Sequence, residues 1–259
     1  MPLQQWQDPH MNARSGYQVI VPTRDSAGWC AAVFGAYQAL GVEPMFFYDI
    51  RSSDGTLAIL HDLGATVIPV EPRFDRVEAI LSQVRCHTDA EWAVRFDDDE
   101  LPSVALVSWL NRSLHSIEEP IVAFSRRDVQ FIDGRLCYAR LEDYYFHSVD
   151  PTYLDPQWRA FRPRDVEFID AIHTPGFNVG TSHTAPASAF FVHFDWILRS
   201  FEQRRAKLRR YERQSPGAGW GYAHFYLPEL HSPGDLRWTP LETIEFDRLA
   251  RRLAGSSTQ

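Results

Sequence analysis

Over residues 17–115 the chain alternates apolar runs of strand length with segments of helix length: "YQVIVPT", "WCAAVFGAYQALG", "PMFFYDI", "DGTLAILHDLG", "TVIPV", "FDRVEAILSQVRC" and "WAVRF". Strand, helix and strand in that order lay the strands side by side and parallel with helices over both faces, which predicts a doubly wound α/β sheet. Gly41 and Gly64 follow the first two helical segments, where a left-handed cap is expected. Val77, Ile80, Leu81 and Val84 stand at i, i+3, i+4 and i+7, so the third helix should turn one apolar face to the sheet.

From about residue 116 the pattern becomes β-rich and aromatic, as in "IVAFSRRDVQFIDGRLCYARL" and "WRAFRPRDVEFIDAIHTPGF", with Asp133-Gly134 read as a hairpin turn. The strand-like "SAFFVHFDW" then runs into a basic helix whose residues 199–213 hold seven Lys and Arg and two Glu. A Gly-, Pro- and Trp-rich segment, "QSPGAGWGYAHFYLPELHSPGDLRW", reads as a loop system with a short helix after it. The organisation expected is an N-terminal extension over 1–16, a ligand-binding half over 17–115 and a second half with C-terminal helices over 116–259, all in one compact domain.

The 259 residues, 44% of them hydrophobic and 14% aromatic, are enough to fill a core of that size. A formal charge of −8 argues against a general nucleic-acid binder. Cys30, Cys86 and Cys137 are odd in number and widely spaced, which suggests neither a disulfide framework nor a cysteine zinc site; buried or partly buried thiols in a reducing compartment are expected. The polar N-terminus and the lack of an 18-residue apolar run point to a cytoplasmic protein.

In such sheets ligands bind at the carboxyl ends of the strands, and those ends carry "PTRD" at 22–25, "YDIRSSDGT" at 48–56, "EPRFD" at 71–75 and "RFDDDE" at 95–100. Four adjacent carboxylates repel one another and call for a cation. The alternative is a solvated turn that caps the helix in "LPSVALVSWLNRSL".

Taken in order, "VIVPTRD", "FYDIRSSDGTLAIL" and "RFDDDE" resemble the nucleotide-binding half of family-2-type glycosyltransferases of the GT-A fold, whose second segment commonly reads Asp-Asp-x-Ser-x-Asp-Gly-Thr and whose third carries Asp-x-Asp. The likeness covers about residues 17–113, and a looser one extends to "AFRPRDVEFIDAIHTPG" and "FFVHFDW". This sequence departs from the pattern at Ile50, which stands where the second Asp of the pair is usual.

The resemblance implies a GT-A-like, Rossmann-like, mostly parallel sheet and metal-dependent transfer of a sugar from a nucleoside diphosphate donor, a UDP-sugar first among the candidates. Pro22, Thr23 and Asp49 would meet the base, with Arg24 or Arg73 adding a phosphate contact. Asp97 would face the ribose. Asp98 is counted with the donor, although strand alternation would turn it away. Asp99 and His193 would hold Mn²⁺ or Mg²⁺ at the diphosphate, and a core histidine is the competing reading of His193. His173 or Asp170 would take the proton of the acceptor hydroxyl.

The acceptor is left open among glycans, lipid-linked and small molecules, with Trp158, Trp196 and Trp220 as residues that stack on a sugar or simply pack. The helix at 199–213 is expected to pack on the core through Phe201, Leu208 and Tyr211, with contact at an anionic membrane face as the second reading. Two alternatives stand beside transfer: a nucleotide-sugar-binding protein without turnover, and a metal-dependent phosphatase. An EF-hand is excluded by its missing spacing and missing Glu at position twelve.

Overall fold

The computed structural model describes residues 16–72, 78–141, 155–169, 173–230, 236–241 and 243–256. The first part runs β1 (Tyr17–Thr23), α1 (Cys30–Ala39), β2 (Met45–Asp49), α2 (Thr56–Asp62), β3 (Thr66–Val70), α3 (Glu78–Leu81) and β4 (Trp92–Arg95). It continues through β5 (Glu100–Pro102), α4 (Val104–Ser113), β6 (Ile121–Ile132), β7 (Arg135–Leu141), β8 (Pro156–Phe161), β9 (His183–Thr184) and β10 (Phe190–His193). The last elements are α5 (Asp195–Leu198), α6 (Phe201–Gln214), α7 (Ala223–Tyr226), β11 (Leu236–Pro240) and α8 (Ile244–Ser256).

The expected parallel sheet is present, in the order β4-β1-β2-β3. Its strands read as unbroken apolar runs because both faces are covered. Val19 and Val21 point into one buried cluster and Ile20 into the other, and Phe46 and Phe47 of β2 divide the same way. The first cluster is closed by α1, α2, α4 and α8 through residues such as Phe34, Leu60, Leu106 and Phe246. The second is closed by Ile80, Leu81 and Val84.

Gly41 and Gly64 end α1 and α2 at φ of 68° and 70°. The third helix is shorter than its spacing implies. Four α-helical residues give way to a 3₁₀ turn over Ser82–Cys86, which keeps Val84 buried by tighter winding, and Val77 lies outside the described residues. That turn also leaves Cys86 exposed, against expectation, while Cys30 and Cys137 are buried.

Strand β8 joins the two halves by pairing antiparallel with both β4 and β6. The long β6 serves four partners: β8 along Ile121–Ser125 with β9 at Val122 and Ala123, then β10 along Ser125–Asp128 and β7 along Val129–Ile132. Its hairpin to β7 turns on Asp133 and Gly134, both at positive φ, as a type I′ turn requires. Strand β10 lies between β6 and β5, so His193 is registered opposite Asp128 on one side and Glu100 on the other. The basic helix α6 packs through Leu208, fully buried, and through Arg204. Among the described residues no helix is long and apolar enough to cross a membrane.

Candidate functional site

The carboxyl ends of β1, β2 and β4 open into a cavity of about 750 Å³ whose far wall is α6 and the segment after it. Pro22, Thr23, Arg24, Asp49, Asp97, Asp98, Asp99, His173 and His193 all line it. Arg73 and Asp170 lie outside the described residues.

The acidic run is a turn between β4 and β5, and each of its carboxylates is answered separately. Asp97 takes Arg95 Nη2 at 2.8 Å and Arg159 Nη2 at 3.4 Å. Burial would raise its carboxyl, but those two guanidinium groups hold it below the usual range. Asp98 accepts from the Thr23 hydroxyl at 2.9 Å and from the Arg24 backbone N–H at 3.3 Å. Burial and the charge of Asp99 push its carboxyl up to about 7. Strand alternation ends at Arg95, which is why Asp98 also lines the cavity and does not turn away. Glu100, fully buried, bonds Arg159 and accepts the Asp97 N–H at 3.0 Å. The cap of α4 is not an aspartate but Ser103, whose hydroxyl accepts from Leu106 N–H at 3.1 Å.

At the β2 end, Asp49 is gripped by Arg51, with Nε at 2.9 Å and Nη2 at 2.7 Å, and Arg24 Nη1 stands 3.7 Å away. Burial opposes ionisation of Asp49, and Arg51 more than offsets it. Ile50, in place of an aspartate, is exposed. The "SSDGT" segment is structural: Asp54 accepts from Thr56 N–H at 3.0 Å at the start of α2 and from Ala27 N–H at 2.9 Å, tying the β1–α1 loop down.

Across β5 and β10, Asp99 faces His193. Asp128 takes His193 Nδ1 at 2.5 Å, leaving Nε2 toward Asp99 Oδ1 at 3.6 Å. Among the described residues Asp99, His193 and Asp195 each offer one ligand atom, all within 4.8 Å of one another. The donor set suits a first-row divalent ion, and an aspartate behind the imidazole is the usual orienting partner of a metal-bound histidine. Asp195 is fully buried, and its Oδ2 has no hydrogen-bond partner, a further sign of room for a cation. The residues present fit such an ion. Two cationic side chains share the seat: Arg199 Nη1 bonds Asp99 Oδ2 and sits 2.6 Å from Asp195 Oδ1, and Lys207 Nζ is 3.2 Å from Asp195 Oδ1. Burial alone would raise Asp99; Arg199 and His193 hold it well below the carboxylate range.

The far wall is aromatic. His173, at φ 59°, stacks on Tyr222 with ring centroids 4.0 Å apart and meets the Tyr211 ring edge-on at 5.3 Å. Its Nε2 bonds the Ala218 carbonyl, so Nε2 carries the proton and Nδ1 is the free acceptor. The 215–222 loop that supplies Ala218 is held by Glu212, which accepts from the backbone N–H groups of Gly217, Gly219 and Trp220 at 2.9–3.2 Å. Of the three tryptophans, Trp158 lines the cavity, Trp196 is buried against Trp238, and Trp220 is exposed outside the lining.

Sequence reasoning missed Arg95, Arg126, Arg159, Arg199, Asp155 and Asp195. Three of them carried a local signal: Arg95 opens the acidic run, Arg199 opens the basic segment, and Asp195 stands two residues after His193.

No family model matches the chain, and no curated protein does. Solved structures similar to it include glucosyl-3-phosphoglycerate synthase from Mycobacterium tuberculosis in complex with Mn²⁺, UDP and glucosyl-3-phosphoglycerate, at 22% identity and a TM-score of 0.37 over 43% of this chain and 44% of that one. A second is residues 1–349 of S. aureus TarS, at 10% identity and a TM-score of 0.48 over 83% of this chain and 73% of that one. The chain thus spans under half the length of the synthase it matches. At these levels of likeness, the α/β assignment rests on the strand order of the chain itself.

Proposed function

We propose that this protein transfers a sugar from a nucleoside diphosphate donor, a UDP-sugar in the first instance, with a divalent metal at the diphosphate. The observation that carries the reading is the pairing of Asp99 with an Asp128-oriented His193 at the carboxyl end of a parallel sheet.

Asp99, His193 and Asp195 would hold the ion. Bound there, Mn²⁺ or Mg²⁺ supplies charge stabilisation for a departing diphosphate. Pro22, Thr23 and Asp49 form the base end, where Asp49 shares its carboxylate between Arg51 and the donor. Asp97 serves the ribose and Arg24 the phosphates, with Asp98 fixed behind them by Thr23. Arg73 is retained as a second phosphate contact on sequence grounds alone.

His173 is the base of this reading. Its Nδ1 is free to accept a proton, and burial lowers its affinity for one below the ordinary value, so the ring is neutral near pH 7. Asp170 stands beside it in sequence as the alternative.

The test is calorimetric titration of UDP into the wild-type and Asp99→Ala proteins, with Mn²⁺ and with EDTA. Metal-dependent affinity in the wild type that Asp99→Ala removes is the expected result. Equal affinity in all four cases overturns the metal assignment, and no binding of UDP, GDP or TDP anywhere overturns the donor class.

A further inference from the structure

The cavity lining carries eight Arg and Lys against seven Asp and Glu, in a chain whose net charge is −8. Six of those cations have an acidic partner. Arg24 is shared by Asp25 and Asp49, Arg95 holds Asp97, Arg126 bonds Asp155, and Arg159 bonds Glu100. Arg199 and Lys207 meet on Asp195. The remaining two, Arg210 and Arg213, have no acidic partner among the described residues, and the Nε of Arg210 is buried without a hydrogen bond.

Both belong to α6. Its cavity-lining residues Gln203, Ala206, Lys207, Arg210, Tyr211 and Arg213 stand at i, i+3, i+4, i+7, i+8 and i+10, one side of the helix. Arg205 pairs with Glu202 instead, and neither lines the cavity. Arg210 is half-buried on this face with its Nε enclosed, and Arg213 stands exposed at the rim of the cavity.

Lys207, one turn before Arg210 on this face, reaches the metal seat at Asp195, and beyond it the helix runs toward the aromatic wall. Arg210 lies over the ring of Tyr211, 5.5 Å from its centroid, and Tyr211 meets His173 at 5.3 Å. Through Tyr211, Arg210 thus adjoins the proposed base, beside which the acceptor hydroxyl has to stand. A guanidinium with a buried, unbonded N–H is costly until an anion supplies the missing acceptors, and two arginines on successive turns match the oxygens of a phosphate or carboxylate.

We propose that Arg210 and Arg213 form an anion subsite on the acceptor side, and that the acceptor is a hydroxyl compound bearing a phosphate or carboxylate. This rests on the transferase reading for the word acceptor; the anion subsite stands independently of it.

The experiment compares wild type, Arg210→Gln/Arg213→Gln and Arg210→Lys/Arg213→Lys by calorimetry. The ligands are inorganic phosphate, glucose 6-phosphate, glucuronate and glucose, with UDP plus Mn²⁺ as the donor control and phosphatidylserine vesicles as the membrane control. The wild type should favour a charged sugar over glucose, and the Gln pair should lose that preference by about 10-fold or more while UDP affinity stays within about 2-fold. The Lys pair, which keeps the charge, should retain part of it.

Three results overturn the proposal. A wild type that does not distinguish charged from neutral sugars shows that there is no anion subsite. UDP affinity that falls with the Gln pair assigns these arginines to the donor. Loss of vesicle binding with the small anions unaffected assigns them to a lipid surface. If UDP binds to no variant but the charged preference follows the arginines, the transferase reading fails and the subsite remains.

Discussion

The proposed division of labour can be separated at single residues, because binding and chemistry fail differently. His173→Ala should leave UDP and metal affinity nearly unchanged and lower turnover by about 10²–10⁴-fold, the usual worth of a general base, as read from donor consumption. The same ring makes a pH prediction. Burial, the largest cause, lowers its pKa from 6.5, and the Ala218 carbonyl only partly offsets this. In the unfolded chain the imidazole takes up its proton as pH falls through 6.5, while the folded ring resists. Its contribution is therefore complete above 6.5, and stability declines as pH drops below that value toward the folded pKa. Denaturant midpoints measured from pH 5 to 8 should show that decline in the wild type and a shallower one in His173→Ala.

At the scale of elements, the wall that carries His173 depends on how closely the 215–222 loop lies on α6. A Cβ on Gly219 would stand 2.2 Å from the Leu208 carbonyl oxygen and 2.8 Å from the Glu212 backbone nitrogen, atoms that cannot yield without unwinding the helix. Gly219→Ala should therefore destabilise the protein by about 1–3 kcal/mol, the range for overpacking. It should also displace the Ala218 carbonyl from His173, so turnover falls while UDP affinity holds; an unchanged melting temperature would show that the loop can move aside. Such an element was only half legible beforehand. Gly and Pro marked a loop, but its docking on α6 depends on which backbone atoms approach, which residue type does not reveal.

Across the whole molecule, what could be read in advance was periodic or local. Alternating apolar runs report strand and helix because burial on both sheet faces demands them, and Gly41, Gly64 and Asp133-Gly134 sit where positive φ is needed. The run at 97–100 stood out because adjacent like charges need an answer. The answers were not visible. Arg159 lies 62 residues from Asp97 and Arg199 lies 100 residues from Asp99, and such pairs are fixed by the order of β4, β8, β5 and β10. Three-residue β5 and four-residue α3 are also too short for a period to register.

The guanidinium of Arg199 between Asp99 and Asp195 has a consequence for how the protein behaves when metal is scarce. With Arg199 and Lys207 in place, the seat carries its own counter-ions, and the carboxylates are not left to repel one another. Stripping the protein with EDTA should accordingly leave its melting temperature within about 1–2 °C of that of the untreated protein, whereas a protein folded around its ion would melt much earlier. Under the proposed function, the metal-free protein would then be folded and idle, and would regain its ion without refolding.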